Sequence, residues 1–212
     1  MTEAAEDYRE LSASLAPRRI VAVTFRGRGR SGAPATGYAL EDHVGDLEAV
    51  VARARLDQFC LMGYSRGAAY AIAFALRHPD RLAGLILGDY PAHHSALPLQ
   101  WPEYILATTH RGTPVAERMS EPAVRALQQE VRAVDFRDRL EAISCPVLVL
   151  RGGQEGSLLS AAEAEVYRRR LREVSIVILE DSGHELWEPN YASYVAAMTT
   201  FLAHLDRMID RG

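Results

Sequence analysis

A serine between two glycines, Ser65 in the pentapeptide Gly-Tyr-Ser-Arg-Gly at residues 63–67, lies at the junction of a predicted strand and a predicted helix. The apolar run at residues 59–62 precedes it, and an alanine-rich helical pattern at residues 67–77 follows. Small residues two positions before and after a serine permit a tight turn that exposes the hydroxyl at the carboxyl end of the strand. The sequence therefore predicts a nucleophile elbow with Ser65 as the reactive residue.

The remainder of the chain alternates apolar, β-branched runs with helical patterns. Further strands are predicted at residues 20–25, 82–87, 147–150 and 175–179, with helices at residues 4–15, 40–54, 161–171 and 191–208. Such alternation predicts an α/β fold, with a mostly parallel sheet flanked by helices. Periodicity weakens after Pro91, so residues 91–139 are predicted to be a helical cap inserted in a single domain of residues 1–212.

Composition restricts the partners and the compartment. The hydrophobic fraction of 48% is that of a globular protein, and the net charge of −4 leaves no basic surface for a phosphate backbone. No run is long enough to span a bilayer, and residues 1–7 are acidic, without the apolar core of a signal peptide. We therefore expect a cytoplasmic protein with no nucleic-acid or membrane partner. Cys60 and Cys145 lie in or beside apolar runs, which favours buried thiols over a disulfide.

A serine hydroxyl is a poor nucleophile until a base accepts its proton, so the chain must also supply a histidine. His184 follows the last predicted strand in a Ser-Gly-His loop and could reach Ser65 from the same sheet edge. The other histidines lie in helical patterns, after a helix end or in the middle segment. The neighbours His93 and His94 have no further ligand cluster nearby, so no metal site is predicted.

The third catalytic residue, beside Ser65 and His184, should be a carboxylate that orients the imidazole. Two acidic residues that follow predicted strands are candidates. Glu155 comes after residues 147–150 through a glycine-containing turn, and Asp89 comes after residues 82–87 through one glycine. Both satisfy the chain order serine, acid, histidine. The motif context favours Glu155, and Asp89 remains the alternative.

Other residues near these motifs are candidates for binding the substrate. The backbone N–H of Arg66 opens the helix after the serine, where the positive helix end favours developing negative charge, so it is a candidate oxyanion donor. Four aromatic residues could form pocket walls, although ordinary core packing explains them equally well: Tyr64, Trp101, Tyr104 and Trp187.

With these residues in place, the chain resembles α/β-hydrolase-fold proteins over nearly its whole length, in the manner of small esterases and cofactor-free perhydrolases. Residues 25–32 resemble the loop after the family's fourth strand, and residues 78–87 resemble the entry to its sixth strand. Residues 146–155 resemble its seventh strand and acid loop, and residues 182–184 resemble its histidine loop. The resemblance implies hydrolysis of a small carboxylic ester or related acyl compound, without metal or organic cofactor.

One departure from the family concerns the start of the chain. The family's first three strands and its His-Gly loop precede the first helix, whereas this sequence starts near that helix. The third strand normally lies between the fourth and fifth, so residues 20–25 should either pair directly with residues 59–63 or leave an edge that a second copy covers as a homodimer.

The His-Gly loop supplies the family's second oxyanion donor, so we expect an incomplete oxyanion hole and turnover lowered roughly 100- to 1000-fold. The rival interpretation is a catalytically impaired hydrolase-fold protein that binds a small ligand or a partner. A natural protein that starts further upstream is the other explanation of the short N-terminus.

Overall fold

The computed structural model describes residues 2–209, which form two compact units. The N-terminal unit comprises residues 2–55 and His94–Val134, and the sheet unit comprises Leu56–His93 and residues 135–209. The predicted cap over residues 91–139 stays a prediction, and most of that segment belongs to the N-terminal unit.

The elements follow the predicted alternation from residue 59 onward. The helices of the described residues are α1 Arg9–Ser14, α2 Leu40–Ala54, α3 Arg66–Arg77, α4 Trp101–Leu106, α5 Val115–Arg118, α6 Glu121–Glu130, α7 Ala161–Arg170 and α8 Tyr191–Ile209, with 3₁₀ turns at Ala5–Tyr8 and Arg137–Ala142. The strands are β1 Phe59–Tyr64, β2 Leu82–Gly88, β3 His93–His94, β4 Thr109–His110, β5 Thr113–Pro114, β6 Val134–Asp135, β7 Val147–Gly152 and β8 Val174–Leu179.

A four-stranded parallel sheet in the order β1-β2-β7-β8 organises the sheet unit. Helix α3 packs against β1 and β2, α7 against β7 and β8, and α8 against β2 and β8. The central strands are apolar and buried along most of their length, as expected when a parallel sheet is covered by helices. The predicted α/β class is confirmed, and the carboxyl ends of all four strands meet at one edge.

Residues 20–25 are not a strand, contrary to the sequence prediction. Ile20 and Val21 are 41% and 37% exposed, and β1 is the edge strand of the described sheet, so the expected direct pairing with residues 59–63 is absent there. A β-branched run needs a neighbouring strand to satisfy its backbone groups, and none of the described residues supplies one. Dimerisation through the sheet edge stays a prediction.

The N-terminal unit buries a charged side chain beside a histidine. The Arg28 guanidinium is almost fully buried and donates from one nitrogen to the Arg26 carbonyl at 2.7 Å and to His43 Nε2 at 3.1 Å. Because arginine can only donate, His43 Nε2 is the acceptor, and Nδ1–H donates to the Ala39 carbonyl at 2.8 Å. Burial, together with the Arg28 charge, lowers the pKa of His43 to about 3. His43 is therefore neutral near pH 7.

None of the helices in residues 2–209 combines the length and the hydropathy that crossing a bilayer requires.

Candidate active site

Ser65 occupies a strained turn between β1 and α3. Its φ of 53° and ψ of −137° lie where non-glycine residues are rare, and such strain persists only where the surroundings hold it. The Ser65 N–H donates to the Gly88 carbonyl at 2.8 Å, which ties the turn to the end of β2. A Cβ on Gly63 would lie 2.3 Å from the Gly67 carbonyl oxygen, so the glycine that precedes the turn is a steric requirement.

His184 connects the serine to a buried acid. Its Nε2 lies 3.0 Å from Ser65 Oγ, and its Nδ1 lies 2.8 Å from Asp89 Oδ2. An ionised carboxylate can only accept, so Nδ1 carries the proton and Nε2 is left to accept from the serine hydroxyl. All three side chains belong to the sheet unit, at the carboxyl edge of the parallel sheet.

Asp89 is fully buried and surrounded by donors. Oδ1 accepts from Ser157 Oγ at 2.6 Å and Gly152 N at 3.2 Å, and Oδ2 accepts from Leu158 N at 2.8 Å in addition to His184. Burial alone would raise the pKa of Asp89, but hydrogen bonds from His184, Ser157 and the two backbone N–H groups outweigh it. The pKa of Asp89 is held below its ordinary value, and the group is ionised at neutral pH.

The structure does not bring Glu155, the preferred candidate for the orienting acid, to His184, which contacts the alternative, Asp89. The Glu155 side chain is exposed. The loop after β7 turns sharply at Gly156, whose φ is 92°, and Ser157 N donates back to the Gln154 carbonyl at 3.3 Å. Glu155 therefore lies at the outer corner of a turn, while Ser157, which the sequence analysis did not single out, reaches the buried acid.

Of the four candidate aromatic residues, Tyr64 contacts the histidine and Trp187 packs against Tyr64. The Tyr64 hydroxyl donates to the His184 carbonyl at 2.8 Å, and the two rings stack at a centroid distance of 5.0 Å. Trp187 is half-buried and meets the Tyr64 ring edge-on at 5.1 Å. Trp101 and Tyr104 belong to the N-terminal unit, where Trp101 packs against its core and Tyr104 is 68% exposed. Their role as pocket walls stays a prediction.

Arg66, the candidate oxyanion residue, is the first residue of α3. Backbone N–H groups in the first turn of a helix point away from that helix's own carbonyls, so the Arg66 N–H lies beside the serine at the positive helix end. Among the described residues no group of three or more histidine, cysteine, aspartate or glutamate side chains is arranged to hold a metal ion.

Comparison with known proteins places the chain in a family. A family model described as "Alpha/beta hydrolase family" matches residues 3–197. N-formylmaleamate deformylase from Pseudomonas putida is 26% identical over 206 residues, covering 84% of this chain and 76% of that protein. The 2-(acetamidomethylene)succinate hydrolase from Mesorhizobium japonicum is 24% identical over 217 residues, covering 86% of this chain and 77% of that protein.

Solved structures show the same fold. An esterase from Exiguobacterium antarcticum superimposes with a TM-score of 0.69 at 20% identity, covering 86% of this chain and 80% of that one. The family model spans most of the chain, and the relatives that it resembles are hydrolases. The chain is an enzyme of the hydrolase class and belongs to the alpha/beta hydrolase family.

Proposed function

We propose that this enzyme is a serine hydrolase that cleaves a small acyl compound through Ser65, His184 and Asp89. One observation carries the proposal: an unbroken line of hydrogen bonds, 2.8 Å from Asp89 to His184 and 3.0 Å from His184 to Ser65. These distances lie within the range that a nucleophile, its base and an orienting group require. The strained backbone of the serine, which presents the hydroxyl at the strand end, supports the same role.

The arrangement supports a two-step acyl transfer. Ser65 Oγ attacks the acyl carbon while its proton passes to His184 Nε2, and Asp89 stabilises the imidazolium that forms. The imidazolium then protonates the leaving alcohol or amine as its bond to carbon breaks, which leaves an acyl-enzyme. A water molecule, deprotonated by His184, attacks the acyl carbon. The bond from that carbon to Ser65 Oγ then breaks as His184 returns the proton to Oγ, which releases the carboxylic acid and regenerates the free serine.

The oxyanion of each tetrahedral intermediate needs a donor near the serine. In the proposed mechanism the Arg66 N–H supplies one, because it follows the nucleophile directly and opens α3. The positive end of this 12-residue helix adds a favourable potential at the same place.

The substrate class combines esters and N-acyl compounds. The names of the two relatives reported above describe N-acyl carboxylates, N-formylmaleamate and 2-(acetamidomethylene)succinate, whereas one of the solved structures with the same fold is an esterase. An ester and an amide form tetrahedral intermediates of the same kind, which differ in the leaving group, so the proposed triad can act on either. A panel of short p-nitrophenyl esters and N-formyl and N-acetyl dicarboxylates tests the two branches.

A fluorophosphonate probe tests the nucleophile without knowledge of the substrate. The purified chain should take up one probe per molecule, seen by intact mass, and Ser65→Ala should take up none. Ser160→Ala is the matched control, because Ser160 is an exposed serine that caps α7, and it should be labelled like the wild type. A folded wild type that is not labelled contradicts the proposal and favours the impaired, ligand-binding alternative.

A further inference from the structure

We propose that Ser157 is a positioning residue that holds Asp89 in the orientation required by His184; this rests on the proposed function. Ser157 Oγ lies 2.6 Å from Asp89 Oδ1, the shortest of the contacts around that carboxylate. Nothing in the motif pattern around Ser65 and His184 points to it, since it lies in the loop after β7, 92 residues beyond the nucleophile in a chain of 212.

The position of the Ser157 proton follows from the two acceptors nearby. Its hydroxyl lies 2.6 Å from Asp89 Oδ1 and 3.2 Å from the Leu159 carbonyl oxygen, and a serine has one proton to give. The ionised Asp89 has none, so the short contact requires the serine proton to lie on the line to Oδ1. The bond is charge-assisted, which is the stronger kind of hydrogen bond.

The donors are divided between the two carboxylate oxygens. Oδ2 receives the His184 ring and the Leu158 N–H, both at 2.8 Å, whereas Oδ1 receives Ser157 and the more distant Gly152 N–H at 3.2 Å. Without the Ser157 hydroxyl, Oδ1 keeps only the longer of its two contacts, the one from the Gly152 N–H. The carboxylate can then rotate about its Cβ–Cγ bond, which moves Oδ2 away from the imidazole N–H.

The turn after β7 explains how a loop serine reaches a buried acid. Gln154 to Ser157 form a four-residue turn closed by a backbone bond of 3.3 Å, with Gly156 at φ 92° in the third position. That position requires a positive φ in a type II turn, which glycine adopts without strain. The chain therefore reverses and directs both Ser157 Oγ and the Leu158 N–H onto the same carboxylate.

The test compares two serines of one loop. Ser157→Ala should lower kcat about tenfold and leave KM unchanged, because the hydroxyl contacts the acid and not the substrate. Ser157→Thr, which keeps a hydroxyl, should recover most of the rate. Ser160→Ala removes another hydroxyl that makes a hydrogen bond, the one accepting from Glu163 N at 3.2 Å, and should leave kcat unchanged.

A double-mutant cycle separates positioning from general destabilisation. With Asp89→Ala as the background there is no carboxylate to orient, so adding Ser157→Ala should change the rate of fluorophosphonate labelling less than twofold. A tenfold effect in that background, a change confined to KM, or a Ser157→Ala enzyme with the wild-type kcat would each overturn the inference.

Failure of the inference is distinguishable from failure of the proposed function. If the wild type is labelled at Ser65 and Ser157→Ala reacts at the same rate, the triad stands and only the role of Ser157 is wrong. If the folded wild type is not labelled at all, the triad fails and the positioning role fails with it.

Discussion

The loops after β2 and β7 both start from a glycine at the strand end and both carry an acidic side chain at the same edge of the sheet, yet the two acids have opposite surroundings. Asp89, directly after β2, is fully buried and accepts four hydrogen bonds. Glu155, three residues beyond β7, is exposed at a turn. A buried carboxylate is tolerated only where donors are already in place.

Strand order accounts for the difference. β2 lies between β1 and β7, so the residue at its end has the serine's strand on one side and the β7 loop on the other. The end of β7 is two strands from β1, about 10 Å away at the usual strand spacing. One loop therefore supplies the carboxylate, and the other supplies three of its four donors through Gly152, Ser157 and Leu158.

The largest effect is expected from Asp89→Asn. An amide in this position favours the wrong imidazole tautomer, so kcat/KM should fall by about 10⁴-fold on any ester that the wild type hydrolyses. The loss is measured from steady-state rates, which are normalised to the amount of folded protein determined by circular dichroism. A loss smaller than tenfold would show that another group orients His184.

The glycines at the two strand ends should differ in their effect on stability. A Cβ on Gly152 would lie 2.1 Å from the Gly183 carbonyl oxygen, whereas one on Gly88 would meet the Tyr64 ring at 3.1 Å. Gly152→Ala should therefore lower the free energy of unfolding by about 3 kcal/mol and Gly88→Ala by about 1 kcal/mol. Urea unfolding compares them, with Gly45→Ala, in α2 with open space around it, as the control that should not lower the free energy of unfolding. Equal losses at the two strand ends would contradict the expectation.

Acid titration should distinguish Asp89 by its lowered pKa. A carboxyl whose pKa is lower in the folded than in the unfolded state stabilises the fold above its unfolded value, and this stabilisation is lost as pH falls through the folded value. The difference in free energy of unfolding between wild type and Asp89→Asn should rise with pH below about 4, by at most about 1.4 kcal/mol per pH unit, and then stay constant. If the free energies of unfolding of the wild type and Asp89→Asn differ by the same amount at every pH from 2 to 6, the expectation is refuted.

The smallest effect is expected from Glu155→Gln. The side chain is exposed, so kcat/KM should stay within about twofold of the wild type and unfolding should be unchanged. A loss comparable to that of Asp89→Asn would return the orienting role to Glu155.

Local sequence patterns were sufficient to predict much of the geometry of the candidate active site. The elbow at Ser65 is visible in the sequence because Gly63 meets a short-range steric requirement, and His184 is visible because it follows the last strand of the sheet. The choice between Asp89 and Glu155 was not accessible in this way. It depends on donors that a glycine turn brings from a neighbouring loop, and such contacts have no sequence period.

The failed strand at residues 20–25 has a similar cause. Its composition resembles that of β7, and both runs are rich in valine and other apolar residues. β7 has β2 and β8 as neighbours, whereas residues 20–25 have no described strand beside them. Strand propensity expresses how well side chains fit a paired surface, so similar apolar runs give different structures when only one of them has partner strands.

The neutral His43 beside Arg28 couples unfolding to proton uptake. The pKa of His43 is about 3 in the folded state, against an ordinary value of 6.5. At a pH between these two values, His43 binds a proton in the unfolded chain but not in the folded one. Each unit decrease in pH across that window favours unfolding by about 1.4 kcal/mol from this side chain alone. Mild acidity between these two values therefore destabilises the folded state through His43 at pH values where the Asp89 carboxylate is still ionised.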